Sequence, residues 1–430
     1  MKNLFYKGLA TICSSIVLTS SLYAQENLYA GGSGTKSDPY IIETPAQFDA
    51  IRENRSAYFK LNANLDFENY EKEGGWWPLG EWGAGDGDAQ RFSGTFDGNG
   101  FTISNLLAKH GDDIGAHDMS VFGVVDGGTI KNVIFDNITV IGGGRLGIVS
   151  GQTRNASYEQ IGVINSTCSN IQTGSNAGGI TGPSAGTTTI INCYTQDCTI
   201  EAESPHEEGA EWTGDAVGGI VSSGNATIMN CYSTSTVKGK TNIGGIIGSC
   251  DGATVVNCLA LNPDIIGEVE VSHRIVGKRN GGDVSDNYAH SSVKINGNEV
   301  VENTGLSSDN GETVTDLTAD FYQDYLYFDF DEVWKLDSSI SQYPVFKWQE
   351  GTGAAVKGLE YNSYKIYTTD SGIKIENLEG NEHIAIYSIA GCKLVDTNAA
   401  EQCEFTLDNH NIYIVSITNS NSREVYKVIK

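Results

Sequence analysis

Residues 218–233 read GGIVSSGNATIMNCYS, and residues 244–259 read GGIIGSCDGATVVNCL. Both open on Gly-Gly-Ile, pass through a Thr-aliphatic pair and close on Asn-Cys. Their asparagines, Asn230 and Asn257, stand 27 residues apart. Chance could duplicate one phrase in a Gly-rich chain, so more copies are needed to establish a repeat. They are present: TISNLLA carries Asn105, TIKNVIF Asn132, GVINSTC Asn165 and TIINCYT Asn192, while DVSDNYA has Asp286 in that place. The steps between markers are 27, 33, 27, 38, 27 and 29 residues. A recurring 27 with longer steps between is a structural repeat carrying loop insertions.

The physical reading is an all-β fold, a parallel β-helix. Each turn of chain makes short strands that pair with their copies in the next coil at about 4.8 Å. Ile and Val fill a narrow core, Gly allows tight corners, and Asn tolerates the left-handed conformation a corner needs. The residue after each marker forms a column of Leu106, Val133, Ser166, Cys193, Cys231, Cys258 and Asn287. Small or apolar residues there predict an inward site. Three cysteines in one column cannot pair evenly, so free packed thiols are expected rather than a disulfide ladder.

Composition agrees. The 430 residues include 52 Gly and 7 Pro, and the formal net charge is −27. That charge repels a phosphate backbone and excludes nucleic acid as the expected partner. Lys2 and Lys7, the apolar run Leu9–Leu22 and Leu22-Tyr23-Ala24 together read as a secretory signal peptide over 1–24, which places the protein outside the cell or on its outer surface. Residues 25–91 read as an N-terminal cap with the first turns, and 92–300 as the coils. Pro45 to Glu53 is the best short-helix candidate, with Phe48 and Ile51 on one face. Residues 301–350 read as an aromatic C-terminal cap and 351–357 as a linker. Residues 358–430 change to short alternating runs, which predict a small antiparallel β-sandwich.

The copies GGIVSSGNATIMNCYSTSTVKG and GGIIGSCDGATVVNC, with SDPYIIETPAQFDAI, WWPLG and FSGTFDGNGFTISNL before them, resemble the Gly-rich GLUG repeats of bacterial exported proteins. That resemblance implies a surface protein, often adhesin-like. IAIYSIAGCKLVD, NIYIVSI and the final KVIK resemble the C-terminal sorting domain of the type IX secretion system of Bacteroidota. That resemblance implies outer-membrane export machinery as a partner. Cys392 after Gly391, and Asn411 before Ile412-Tyr413, depart from the usual pattern.

Chemistry is hard to find. Glycoside hydrolysis needs two carboxylates about 5 to 9.5 Å apart, and the columns four and five residues after the markers hold no such pair. Asp86 and Asp88 in GAGDGDAQ are spaced as in some calcium loops but lack the later Glu of an EF-hand. Calcium is the one cofactor the sequence offers. KHGDDIGAHD, with His110, Asp112, Asp113, His117 and Asp118, reads as a polar insertion. The longest step contains EAESPHEEGAEWTGD, in which Trp212 stands among Glu207, Glu208 and Glu211; this is the expected ligand-binding insertion, and it has no HExxH motif. Trp76, Trp77 and Trp82 are assigned to packing. The reading is therefore an adhesin-like binding protein for a glycan or a surface or matrix protein. A β-helix polysaccharide lyase or hydrolase is the alternative, and a structural spacer the third.

Overall fold

The computed structural model describes residues 28–71, 75–81, 90–109, 118–171, 176–202, 216–267, 271–300 and 302–349, together with the strands and some adjoining residues of 365–429. The expected β-helix is there. Four parallel sheets run along it: one of sixteen strands, bent at a corner, and others of five, six and eight, the last ending in a short antiparallel pair. In the large sheet one inward position is stacked nine deep, as Tyr40, Phe59, Phe96, Ile130, Tyr158, Ile190, Ile228, Val255 and Val284. All but Tyr40 are buried. Pro45–Asp49 is α-helical and Ala50–Glu53 continues as a 3-10 turn, as expected. Thr44 caps it by accepting the Gln47 N–H at 3.3 Å, and Phe48 and Ile51 are fully buried under it.

The register corrects the marker column, which merges two corners. Ile130 pairs with Tyr158 and Tyr158 with Ile190, which puts Gln160 level with Asn132 and Asn192. The first corner is therefore Asn132, Gln160, Asn192, Asn230, Asn257 and Asp286, all with φ between 51° and 54°. Asn105 and Asn165 belong to a second corner with Asn137 and Asp197, five residues further along each coil. The misreading has a physical cause. Both corners need a left-handed residue, so both favour Asn, while Gln160, an uncommon choice, hides one copy.

The cysteine column changes accordingly to Val133, Ile161, Cys193, Cys231, Cys258 and Asn287, all fully buried. The expected free thiols are present in the coils: among the described residues Cys168, Cys193, Cys198, Cys231, Cys250 and Cys258 form no disulfide. They do more than pack. After the left-handed residue the carbonyl before it turns inward, and the thiol meets it. Cys193 Sγ donates to the Ile191 carbonyl at 3.2 Å, Cys231 to Met229 at 3.2 Å and Cys258 to Val256 at 3.3 Å. At the second corner Cys198 does the same to Gln196 at 3.3 Å, and Ser166 to Ile164 at 2.7 Å. A small side chain with a weak donor suits this place.

The Gly-Gly of the opening phrase also has a different reason from the one expected. Gly218, Gly219, Gly244 and Gly245 are not in the left-handed region; they are sites of close approach. A Cβ on Gly218 would lie 1.9 Å from the Val221 carbonyl oxygen, and one on Gly219 would lie 2.1 Å from that of Gly245. The backbones simply touch there.

The coils are closed at the far end by residues 302–314. Glu312–Val314 pairs with Tyr288–His290. The fully buried Arg274 donates to the carbonyls of Asn310 at 2.9 Å and Gly311 at 3.1 Å. The rest of the segment expected as a cap, 317–349, instead runs back along the flank. It covers the outward column Tyr194, Tyr232, Leu259 and Tyr288. Trp334 Nε1 donates to Asn192 Oδ1 at 3.4 Å, and Trp348 Nε1 to Gln160 Oε1 at 2.9 Å. Tyr232 donates to the Pro344 carbonyl at 2.7 Å. The tail forms antiparallel sheets of three and four strands around Ile373, Ile375, Ile384, Ile386, Val415 and Ile417.

Candidate functional site

Within the coils, residues 110–117, 172–175, 203–215 and 268–270 lie outside the described residues. The described chain leaves from stacked positions, with Gly142 level with Asn170 and Ala202, and Gly239 level with Gly267. It returns at stacked positions too, with Arg145 level with Asn176 and Ala216, and Val217 level with Ile243 and Ser272. Trp212, Glu207, Glu208 and Glu211 lie in 203–215, and Asp86 and Asp88 in 82–89, so all six fall outside the described residues. Of the His and Asp residues in the polar insertion, only Asp118 is described. It is 4% exposed and paired with Arg145, Nε to Oδ1 at 2.7 Å and Nη2 to Oδ2 at 2.9 Å. The corner is braced by Asn170, whose amide donates to the Gly144 carbonyl at 2.8 Å and the Asn176 carbonyl at 3.2 Å.

Beside the strand Leu107–Ala108 lies a cleft of about 670 Å3. Phe67, Glu68, Tyr70, Glu71, Trp76, Asn105 and Leu107 line it. The sequence reading missed it because its residues come from turns 39 positions apart that meet only when Leu65–Asp66 pairs with Ile103–Ser104. Its one legible signal was the run FENYE beside WWPLG. Trp76 is packing, as expected: it is 4% exposed, stacks on Phe48 and donates to the Val121 carbonyl at 3.2 Å. Tyr70 stands edge-on to Phe67 at 5.4 Å and donates to Asp49 Oδ2 at 3.2 Å. Burial and then the Asp49 carboxylate push its phenol up to about 12. Asp49 is held in turn by Arg52, whose guanidinium lies 5.6 Å from the Trp76 ring centre.

The polar wall is a ladder. Asn105 donates to Asp66 Oδ1 at 2.8 Å and accepts from Asn137 Nδ2 at 2.7 Å. The Asn105 amide, then the Glu68 N–H, hold the Asp66 carboxyl below its ordinary range. Glu68 and Glu71 are exposed at the rim, and Leu107 is 54% exposed. An aromatic edge, an amide and free carboxylate acceptors around an open cleft suit a hydroxyl-rich ligand. Among the described residues no group of three or more His, Cys, Asp or Glu is placed to hold a metal ion.

No family model matches the chain. Two curated relatives match part of it: a "Putative Gly-rich membrane protein" of Evansella cellulosilytica, 34% identical over 126 residues, and "Halomucin" of Haloquadratum walsbyi, 33% identical over 152 residues. These matches cover 28% and 33% of this chain but only 14% and 2% of the relatives' own length. Among solved structures the chain is similar to a "putative immunoglobulin A1 protease from Bacteroides ovatus", at 25% identity and a TM-score of 0.53, over 75% of this chain and 96% of that one. The likeness is one of β-rich fold, shared with a Bacteroides protein over nearly that protein's whole length.

Proposed function

We propose that the protein is exported, held at the cell surface or released from it, and binds a glycan or a surface or matrix protein. The observation that carries this reading is the cleft, one of whose walls is Leu107, on the strand Leu107–Ala108 that precedes residues 110–117. Insertions there leave the core intact, so binding residues can vary without cost to the fold. The extracellular placement draws on the signal-like N-terminus, and on relatives named as a membrane protein and as a protease of a Bacteroides species. Asp86 and Asp88 are kept as an auxiliary calcium site, which a melting temperature unchanged by EDTA would remove. The tail is kept as a sorting domain, which unchanged display after truncation at Gly351 would remove.

The test is a screen of the mature protein against glycans and matrix proteins, with turnover of each glycan followed in parallel. A ligand is expected whose binding weakens in Glu68→Ala/Glu71→Ala, in Trp212→Ala, or in both. Loss in the first pair alone assigns the cleft, and loss in the second alone assigns the insertion. No ligand in either class supports the spacer reading, and turnover of a glycan supports the enzyme.

A further inference from the structure

Tyr327 has φ of +51°, and it is the only aromatic residue among the described ones in the left-handed region. A bulky side chain rarely adopts that conformation, because its Cβ crowds the neighbouring carbonyl. Burial does not offset the strain. Tyr327 is 64% exposed, while its neighbours Leu326 and Phe328 are buried. The conformation is imposed from both sides: Asn230 Nδ2 donates to the Tyr327 carbonyl at 2.9 Å, and the Phe328 N–H to the Tyr322 carbonyl at 2.9 Å. The kink turns the Tyr327 ring to solvent.

A second ring, Tyr325, is 56% exposed. It stacks on Phe321 at 6.1 Å and stands edge-on to Tyr288 at 6.4 Å. Tyr288 is half-buried, and its hydroxyl is pushed up, first by burial, then by Asp286, Glu312, Tyr325 and Tyr327. Glu312 is level with Tyr288 in the strand pair, Asp286 lies two residues before Tyr288, and the Tyr325 ring packs against it. Neither Asp286 nor Glu312 makes an ion pair among the described residues. Arg274, which feels the Glu312 charge, is fully buried beneath with its Nη2 committed to Gly311 and Thr313.

We infer that Tyr288, Tyr325 and Tyr327, with Asp286 and Glu312, form a surface that receives the arginine or lysine side chains of a basic polypeptide. Ring faces attract a guanidinium or ammonium through their quadrupole, and the two carboxylates supply the charge. The partner is basic because the surface and the chain as a whole, at −27, are acidic. This surface belongs to the flank segment and the last coils, separate from the cleft, and does not depend on the cleft's ligand.

The experiment is fluorescence anisotropy of a labelled octa-arginine peptide with the full mature protein at about physiological salt. Tyr325→Ser/Tyr327→Asn removes both rings, leaves every charge in place and puts Asn where φ is positive. Binding is expected to weaken about fivefold or more. Tyr325→Phe, which keeps the ring, should bind as the parent does and controls for folding, as should an unchanged circular dichroism spectrum of the double variant. Asp286→Asn, which also suits its left-handed position, should weaken binding too. Parental affinity in the folded double variant would show that bulk negative charge alone holds the peptide, and would overturn the inference.

Discussion

Asn287 occupies, in the last coil, the place that Cys258 holds one coil below. Its Oδ1 accepts the Cys258 backbone N–H at 3.0 Å, and its Nδ2 donates to the Val255 carbonyl at 2.8 Å. The column thus changes from thiol to carboxamide where the stack nears its end. Cys258 and Asn287 both meet inward carbonyls, so this end of the column is polar in function although it is buried.

The thiols are therefore expected to be free but silent. Cys193, Cys231 and Cys258 are fully buried, and burial raises the Cys231 and Cys258 thiols well above the ordinary value. Alkylation of the native protein, followed by mass spectrometry, should leave these three unlabelled. The same reagent in denaturant without reductant should label them fully. Resistance in denaturant would mean disulfides. Cys231→Ala should cost about 1–2 kcal/mol through the Met229 carbonyl it leaves without that donor, and Cys231→Ser less.

Stability should fall at alkaline pH. Burial pushes Cys198 and Tyr158 each up to about 12, from 9.0 and 10.0. A group raised in the fold keeps its proton in the folded state after the unfolded chain has lost it. The contribution is thus complete below about pH 9 and is lost as pH rises from there toward 12. Denaturant midpoints should be flat from pH 7 to 8.5 and then decline, with a shallower decline in Cys198→Ser/Tyr158→Phe. A midpoint constant to pH 11 would contradict the burial.

Gly219→Ala should disrupt the stack. Its Cβ would meet the Gly245 oxygen at 2.1 Å and Ser233 Oγ at 2.5 Å, and the first of these is backbone that cannot yield locally. A loss of about 3 kcal/mol or more, or insoluble protein, is expected. Gly127→Asn is the contrast: it has open space around it and φ of +74°, which Asn tolerates, so thermal stability should change little.

Trp334→Ala should release the flank segment before the coils. Trp334 is fully buried, 4.8 Å from both Phe328 and Phe346 and about 6 Å from Tyr194 and Tyr232. A loss of about 3–5 kcal/mol is expected. Limited proteolysis should cut within 317–349 while the coils stay resistant. Simultaneous loss of both would mean that the coils depend on the segment.

The sequence by itself determined the β-helix, the short helix under the first turns and the strands of the tail, because each is written in local periodicity and turn chemistry. It also determined that the column cysteines are free, since three copies at one level cannot pair. What it could not decide was set by contacts between coils. Two corners five residues apart favour the same amino acid, so only the pairing of Tyr158 with Ile130 and Ile190 separates Asn165 from Asn192. Glycine has two reasons to recur, and only the 2.1 Å approach at Gly219 shows which one applies. Aromatic residues near a chain's end suit a cap as well as a flank, and only Trp348 against Gln160, 188 residues away in sequence, shows that the segment turns back. The cleft was hidden for the same reason: Phe67 and Leu107 become neighbours through coil pairing, and nothing local records it.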